Sequence, residues 1–259
     1  MKATASKQLI TLGLLLAIYA VLAFTAYLLT PLEQFVPPGQ TVPAAVRAMP
    51  RLQLAAGNAG FIFVVYGLLG AAGYWFARKL ELPGTYRAGA GWRAWVLWPM
   101  LLGLAIGVVI VAVDQIFARA GSTTGLPHPV FPLSVISSAA AGIGEEILFR
   151  GFVMGLWGFL LNAVFRRWNG RVAALWIGNG MAALASSAAH IPAAMILLRL
   201  NSPAQIPALA MAELFVLNGL LGLVAGDRTI RDGLVAAMGV HFWADMVWHV
   251  AWPLLRLAM

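Results

Sequence analysis

The chain has 259 residues, is 61% hydrophobic and only 10% charged, carries a formal net charge of +8 and contains no cysteine. That balance excludes a soluble domain, and the missing cysteine excludes disulfides, thiolate metal ligands and a cysteine nucleophile. The positive charge does not mark a nucleic-acid partner, because Lys and Arg sit in short loops between apolar runs, which is how a membrane protein encodes its topology.

The apolar runs are about 20 residues long, not alternating strands of about 10, so the chain is predicted to be an all-α polytopic membrane helical bundle and not a barrel. Seven segments stand out: 8–30, 52–77, 94–118, 133–163, 172–198, 206–226 and 233–256. The first run, Leu9 to Leu29, follows Lys2 and Lys7 and exceeds the length of a signal-peptide core, so it reads as an uncleaved helix. The loop at 31–51 holds Pro31, Pro37, Pro38 and Pro43 and cannot be one continuous helix. The loop at 78–93 is basic and glycine-rich. Alternate loops divide the cations unevenly. One side holds Lys2, Lys7, Arg78, Lys79, Arg87, Arg93, Arg166, Arg167, Arg171, Arg228 and Arg231. The other holds Arg47, Arg51, Arg119, Arg199 and Arg256. The bias places the N-terminus in the cytoplasm.

Within the fourth segment the sequence reads Glu145-Glu146-Ile147-Leu148-Phe149-Arg150. A charge at mid-membrane costs at least ~2.5 kcal/mol, so such a cluster is a functional candidate by default. Glu146 and Arg150 are four apart, share a helix face and are expected to pair. Adjacent positions point about 100° apart, which leaves Glu145 as the less neutralised carboxylate and the candidate general base. A structural ion-pair clamp between helices is the competing reading. His190 follows a run of small residues that allows close helix approach, and Pro192 disrupts the helix just after it. His241, Asp245 and His249 form one stripe at intervals of four. His241 and Asp245 read either as a metal-ligand pair or as groups that hold a water or an oxyanion. His249, with Trp243, Trp248 and Trp252, reads as interfacial. Asp114 is expected to be satisfied by Arg119 or by the interface. Glu213 and Asn218 read either as cavity lining or as packing contacts, and His128 as solvated.

These residues resemble a known family. Glu-Glu-x-x-x-Arg, then a His, then His-x-x-x-Asn/Asp, is similar to the CPBP family of CaaX proteases and bacteriocin-processing enzymes, also called Abi, which includes the Ras-converting CaaX endopeptidase. The resemblance covers roughly 133–256, a four-helix catalytic core, and leaves the three spans of 1–132 unassigned. Where the family has Phe in its second motif this chain has Ser186. The resemblance implies an intramembrane endopeptidase of glutamate type. Glu145, with His190, would activate a water. His241 and Asp245 would hold that water or stabilise the oxyanion, and Glu146 and Arg150 would fix the geometry. It also implies a membrane-anchored protein or peptide substrate and, from the short loops, a prokaryotic plasma membrane. No cofactor is expected. The alternative is zinc, held by His190, His241, Glu145 and Asp245. A catalytically silent scaffold or immunity protein of the same family and a proton-coupled transporter are the other function classes. The first has no use for the full set of polar groups, and the second lacks matching interrupted helices.

One feature conflicts with this picture. Counted from the basic loops, Glu145 lies ~20 residues from its end of the span and His241 ~9, a depth gap of ~15 Å. Either the fourth helix ends near Gly155–Gly158, or its last part lies along the interface.

Overall fold

Seven helices long and apolar enough to cross a membrane make up the computed structural model, which describes residues 5–36, 39–122 and 128–258. The spans are Ala5–Leu29, Arg51–Lys79, Arg93–Arg119, Leu133–Trp168, Arg171–Leu197, Ala208–Asp232 and Leu234–Ala258. No strand occurs among the described residues. The protein is thus an integral membrane helical bundle. Its surface is the inverse of a soluble protein's. Leu14, Val21, Leu68, Val108 and Ile116 are among the exposed apolar side chains, whereas Glu146, Arg150, Asn179 and Glu213 are buried. With lipid as the outer solvent, apolar side chains lose nothing by facing outward and polar ones gain partners by facing inward.

Among its described residues, the loop after the first span contains a 3-10 turn, Leu32–Phe35, and one helical turn, Ala44–Arg47, in keeping with its prolines, of which Pro37 and Pro38 lie outside the described residues. Two segment ends differ from expectation. The sixth span continues through Arg228 and Arg231 to Asp232, where a loop was expected. Those residues stay helical because their charges pair along the helix: Arg228 bonds Asp227 and Asp232, and Arg231 bonds Asp227. The turn to the seventh span then needs only Gly233, at φ +96°, a conformation other residues rarely adopt.

The fourth helix does not end near Gly155–Gly158 but runs through Phe165 into the 3-10 turn Arg166–Trp168. The gap closes at the other end, because the seventh span starts beside Gly151 and the fourth helix runs on past that level. Leu234 lies next to Gly151, and the N–H groups of Leu234 and Val235 donate to the carbonyls of Gly84 and Thr85. The 83–86 loop is itself clasped by the buried side chain of Gln8. Its amide donates to the carbonyls of Pro83 and Tyr86, and its oxygen accepts from Thr85 N–H at 2.8 Å. Spans one to three therefore pack directly on the four-helix part. Span two meets span four so closely that a Cβ at Gly73 would lie 2.6 Å from the Gly151 carbonyl carbon.

Three spans contain π-helical turns, at Arg93–Leu97, Glu146–Val153 and Met246–Ala251. The second begins immediately after Glu145 and the third immediately after Asp245. Such turns are rare and recur at functional sites.

Candidate active site

Spans four, five and seven bring the acidic and imidazole groups of the core together. Glu145 Oε1 lies 3.6 Å from His190 Nε2. One position on, Glu146 faces the other way. It is fully buried, and its Oε1 accepts from His241 Nδ1 at 2.8 Å and lies 3.4 Å from Arg150 Nη1. His241 Nε2 in turn lies 3.7 Å from Asp245 Oδ2. Neighbouring carboxylates thus do different work. Glu145 reaches the cavity, with its side chain 26% exposed, and Glu146 holds His241 and Arg150 behind the wall.

The local sequence explains how His190 is oriented. An α-helix would direct its backbone N–H to the carbonyl of Ser186. The helix tightens here, just before Pro192, and that N–H goes to Ser187 instead. The freed carbonyl of Ser186 takes His190 Nδ1 at 2.8 Å. A proton on Nδ1 leaves Nε2 facing Glu145. Ser186 thus contributes its backbone, and its small buried side chain stands where the resemblance expects Phe.

Glu145, His190, His241 and Asp245 line one cavity of about 710 Å³. Its walls include Ile110, Leu214, Leu217 and Leu221, and its mouth includes Thr30, Pro31, Gln34 and Val130. Among the described residues, no Lys or Arg lines it. Glu146 and Arg150 do not line it. The mouth residues belong to connections on the side opposite the lysine- and arginine-rich loops.

Several expectations for the outer end need correction. His128 is not solvated. Its ring stacks edge-on against Trp248, with centroids 4.9 Å apart, and its Nδ1 lies 3.0 Å from His249 Nδ1. His249 is not interfacial but lines the cavity, and Trp248 is buried beside it instead of facing lipid. His128, Pro129 and Val130 all line the cavity. Asp114 is buried and bonds Gln115, not Arg119. Glu213 lines the cavity and accepts a short hydrogen bond from Ser122. Asn218 also lines it, while donating to the carbonyl of Leu214. Sequence reasoning missed Tyr19 entirely. Its ring packs on Gly144, where any Cβ would collide with it, and stacks edge-on with Tyr66. The glycine next to Glu145 was the only available signal.

Zinc was the alternative cofactor. Its usual site takes three protein ligands within about 2.0–2.3 Å of one point. Among the described residues, no group of three His, Cys, Asp or Glu side chains is placed to hold an ion.

Comparison with known proteins gives one match. Residues 127–247 fit the family model described as type II CAAX prenyl endopeptidase Rce1-like. No curated protein and no solved structure matches the chain.

Proposed function

We propose that the chain, whose residues 127–247 fit the Rce1-like model of the CAAX-protease (CPBP) family, is a glutamate-type endopeptidase that cleaves a membrane-anchored protein or peptide by attack of an activated water. The observation that carries this reading is the 3.6 Å approach of Glu145 to His190, both partly exposed, on the wall of one cavity within the bundle. That gap suits two groups that share a water, and unliganded catalytic contacts are often long.

In this mechanism Glu145 takes a proton from the water as it attacks the scissile carbonyl. His190, with its proton on Nδ1 held by Ser186, presents Nε2 to the same water. His241 donates Nδ1–H to Glu146 and, when also protonated on Nε2, offers that proton to Asp245 or to the developing oxyanion. Glu145 then returns its proton to the leaving amine. Glu146 and Arg150 hold His241 in place. The substrate is a mainly apolar segment, because the cavity walls beyond the acidic and imidazole groups are mostly apolar. With the N-terminus cytoplasmic, as the loop charges indicate, this segment enters from the outer side. A prokaryotic plasma membrane remains the proposed setting.

The test is to incubate the purified protein with a panel of membrane-anchored peptides and follow new termini by mass spectrometry. Wild type is expected to cut at least one peptide that Glu145→Ala leaves intact. Equal cleavage by both proteins would contradict the reading.

A further inference from the structure

A second concavity lies away from the cavity of Glu145, where the start of span three meets the end of span six. It holds about 660 Å³ and is lined by Arg87, Arg93, Arg228 and Arg231 together with Trp92 and Trp98. Arg228 is fixed by Asp227 at 2.5 Å and Asp232 at 3.0 Å and forms a rigid floor. Arg87 reaches Asp232, and Arg231 reaches Asp227, yet their side chains stay 52% and 62% exposed. Arg93 has no carboxylate partner among the described residues. Four guanidiniums thus face two carboxylates, an excess of two positive charges.

A groove of about 520 Å³ adjoins this pocket and shares Trp98 and Arg228 with it. Its other lining is Leu102, Trp176, Leu223, Val224 and Asp227. Leu102 lies nine residues inside the start of span three and Leu223 nine residues inside the end of span six. At 1.5 Å per residue the groove runs about 13 Å from the helix ends into the apolar zone. A basic pocket at the membrane boundary therefore opens into an apolar slot that points down the bilayer.

We propose that this pair of concavities is a binding site for an anionic phospholipid, with its phosphate among the arginines and one acyl chain in the slot between spans three and six. Guanidiniums match phosphate oxygens in bidentate geometry. Basic pockets between spans bind anionic headgroups, and exposed tryptophans sit at headgroup level. The apolar slot selects a lipid over a soluble phosphate. Nothing in this site touches Glu145, His190, His241 or Asp245, so it stands apart from the peptidase reading.

The experiment titrates the detergent-purified full chain with phosphatidylglycerol, with phosphatidylcholine of the same chains, and with soluble glycerol phosphate, and counts bound molecules by native mass spectrometry. Phosphatidylglycerol is expected to bind at least about fivefold tighter than phosphatidylcholine, and Arg93→Gln to remove roughly fivefold of that, the weight of one arginine near anionic lipid. Val224→Trp, which fills the slot, should weaken both lipids. Arg166→Gln with Arg167→Gln, at exposed cations elsewhere, should keep the preference. Equal binding of the two lipids would overturn the proposal. So would equal loss in the 166/167 variant, which would mean diffuse surface charge. Glycerol phosphate binding as tightly as the lipid would make this a soluble-anion site and also overturn it.

Discussion

His241 Nδ1 and Glu146 Oε1 are 2.8 Å apart, across 95 residues of sequence, and the same carboxylate oxygen lies 3.4 Å from Arg150 Nη1. This contact ties span seven to span four behind the cavity wall. Glu146 and Arg150 are almost wholly buried, so neither has water to fall back on. Replacing Glu146 by Gln would strand the Arg150 charge and release His241. The expected loss is about 3–5 kcal/mol of stability. Thermal unfolding in detergent checks this, and a Glu146→Gln protein that melts with wild type would contradict it.

Close packing of spans two and four gives a second prediction. A methyl at Gly73 would meet the backbone of Gly151 at 2.6–2.8 Å, and that backbone has little room to move. Gly73→Ala is expected to destabilise by about 1–3 kcal/mol. Gly180→Ala is the matched control. Nothing lies within 4 Å of its added carbon, and a helical Gly→Ala change is worth up to ~1 kcal/mol in favour. Melting temperatures that fail to separate the two variants would refute the packing account.

Much of this was legible in the residues. The seven spans follow from apolar run length, because lipid demands it, and the Glu146–Arg150 pair follows from spacing on one helix face. Two kinds of feature were not legible. The π-helical turns after Glu145 and Asp245 depend on hydrogen-bond slippage that no residue pattern announces. Contacts between distant segments depend on tertiary placement: His128 with His249, Tyr19 on Gly144, and the 83–86 loop under span seven. Composition made His128 look like a solvated loop residue. Its partner lies 121 residues away.

That histidine pair yields a pH prediction. Burial holds the His128 imidazole below its ordinary value of 6.5, with Asp114 opposing and Arg256 adding to the effect. The unfolded chain then binds a proton at higher pH than the folded one. The stability this represents is present above about pH 6.5 and lost as the pH falls from there through the folded value. Two neutral imidazoles can share the 3.0 Å bond with one donating, whereas two imidazoliums cannot. His128→Phe keeps a ring against Trp248 without a titrating group. Between about pH 7 and pH 5 its melting temperature should fall less than that of wild type. Parallel pH curves for the two proteins would contradict this.

Metal dependence separates the two mechanisms the resemblance allows. If Glu145 acts on a free water, EDTA or phenanthroline should leave cleavage within about twofold, and zinc should be well below one per chain. The argument rests on donor placement, since among the described residues no three ligating side chains are placed to hold one ion. Stoichiometric zinc, with activity lost on chelation and restored by zinc, would make the site a metalloprotease centre.

The most direct test of the central claim is the cleavage rate of Glu145→Gln. Gln keeps the size and a hydrogen-bonding oxygen but cannot accept the proton of the attacking water. Glu145 is partly exposed and, among the described residues, makes no ion pair with an arginine, so the variant should insert, fold and melt like wild type. The account predicts a folded protein with cleavage reduced at least about a hundredfold, the scale of a lost general base. Wild-type cleavage by folded Glu145→Gln, on the same substrate in the same detergent, would contradict it.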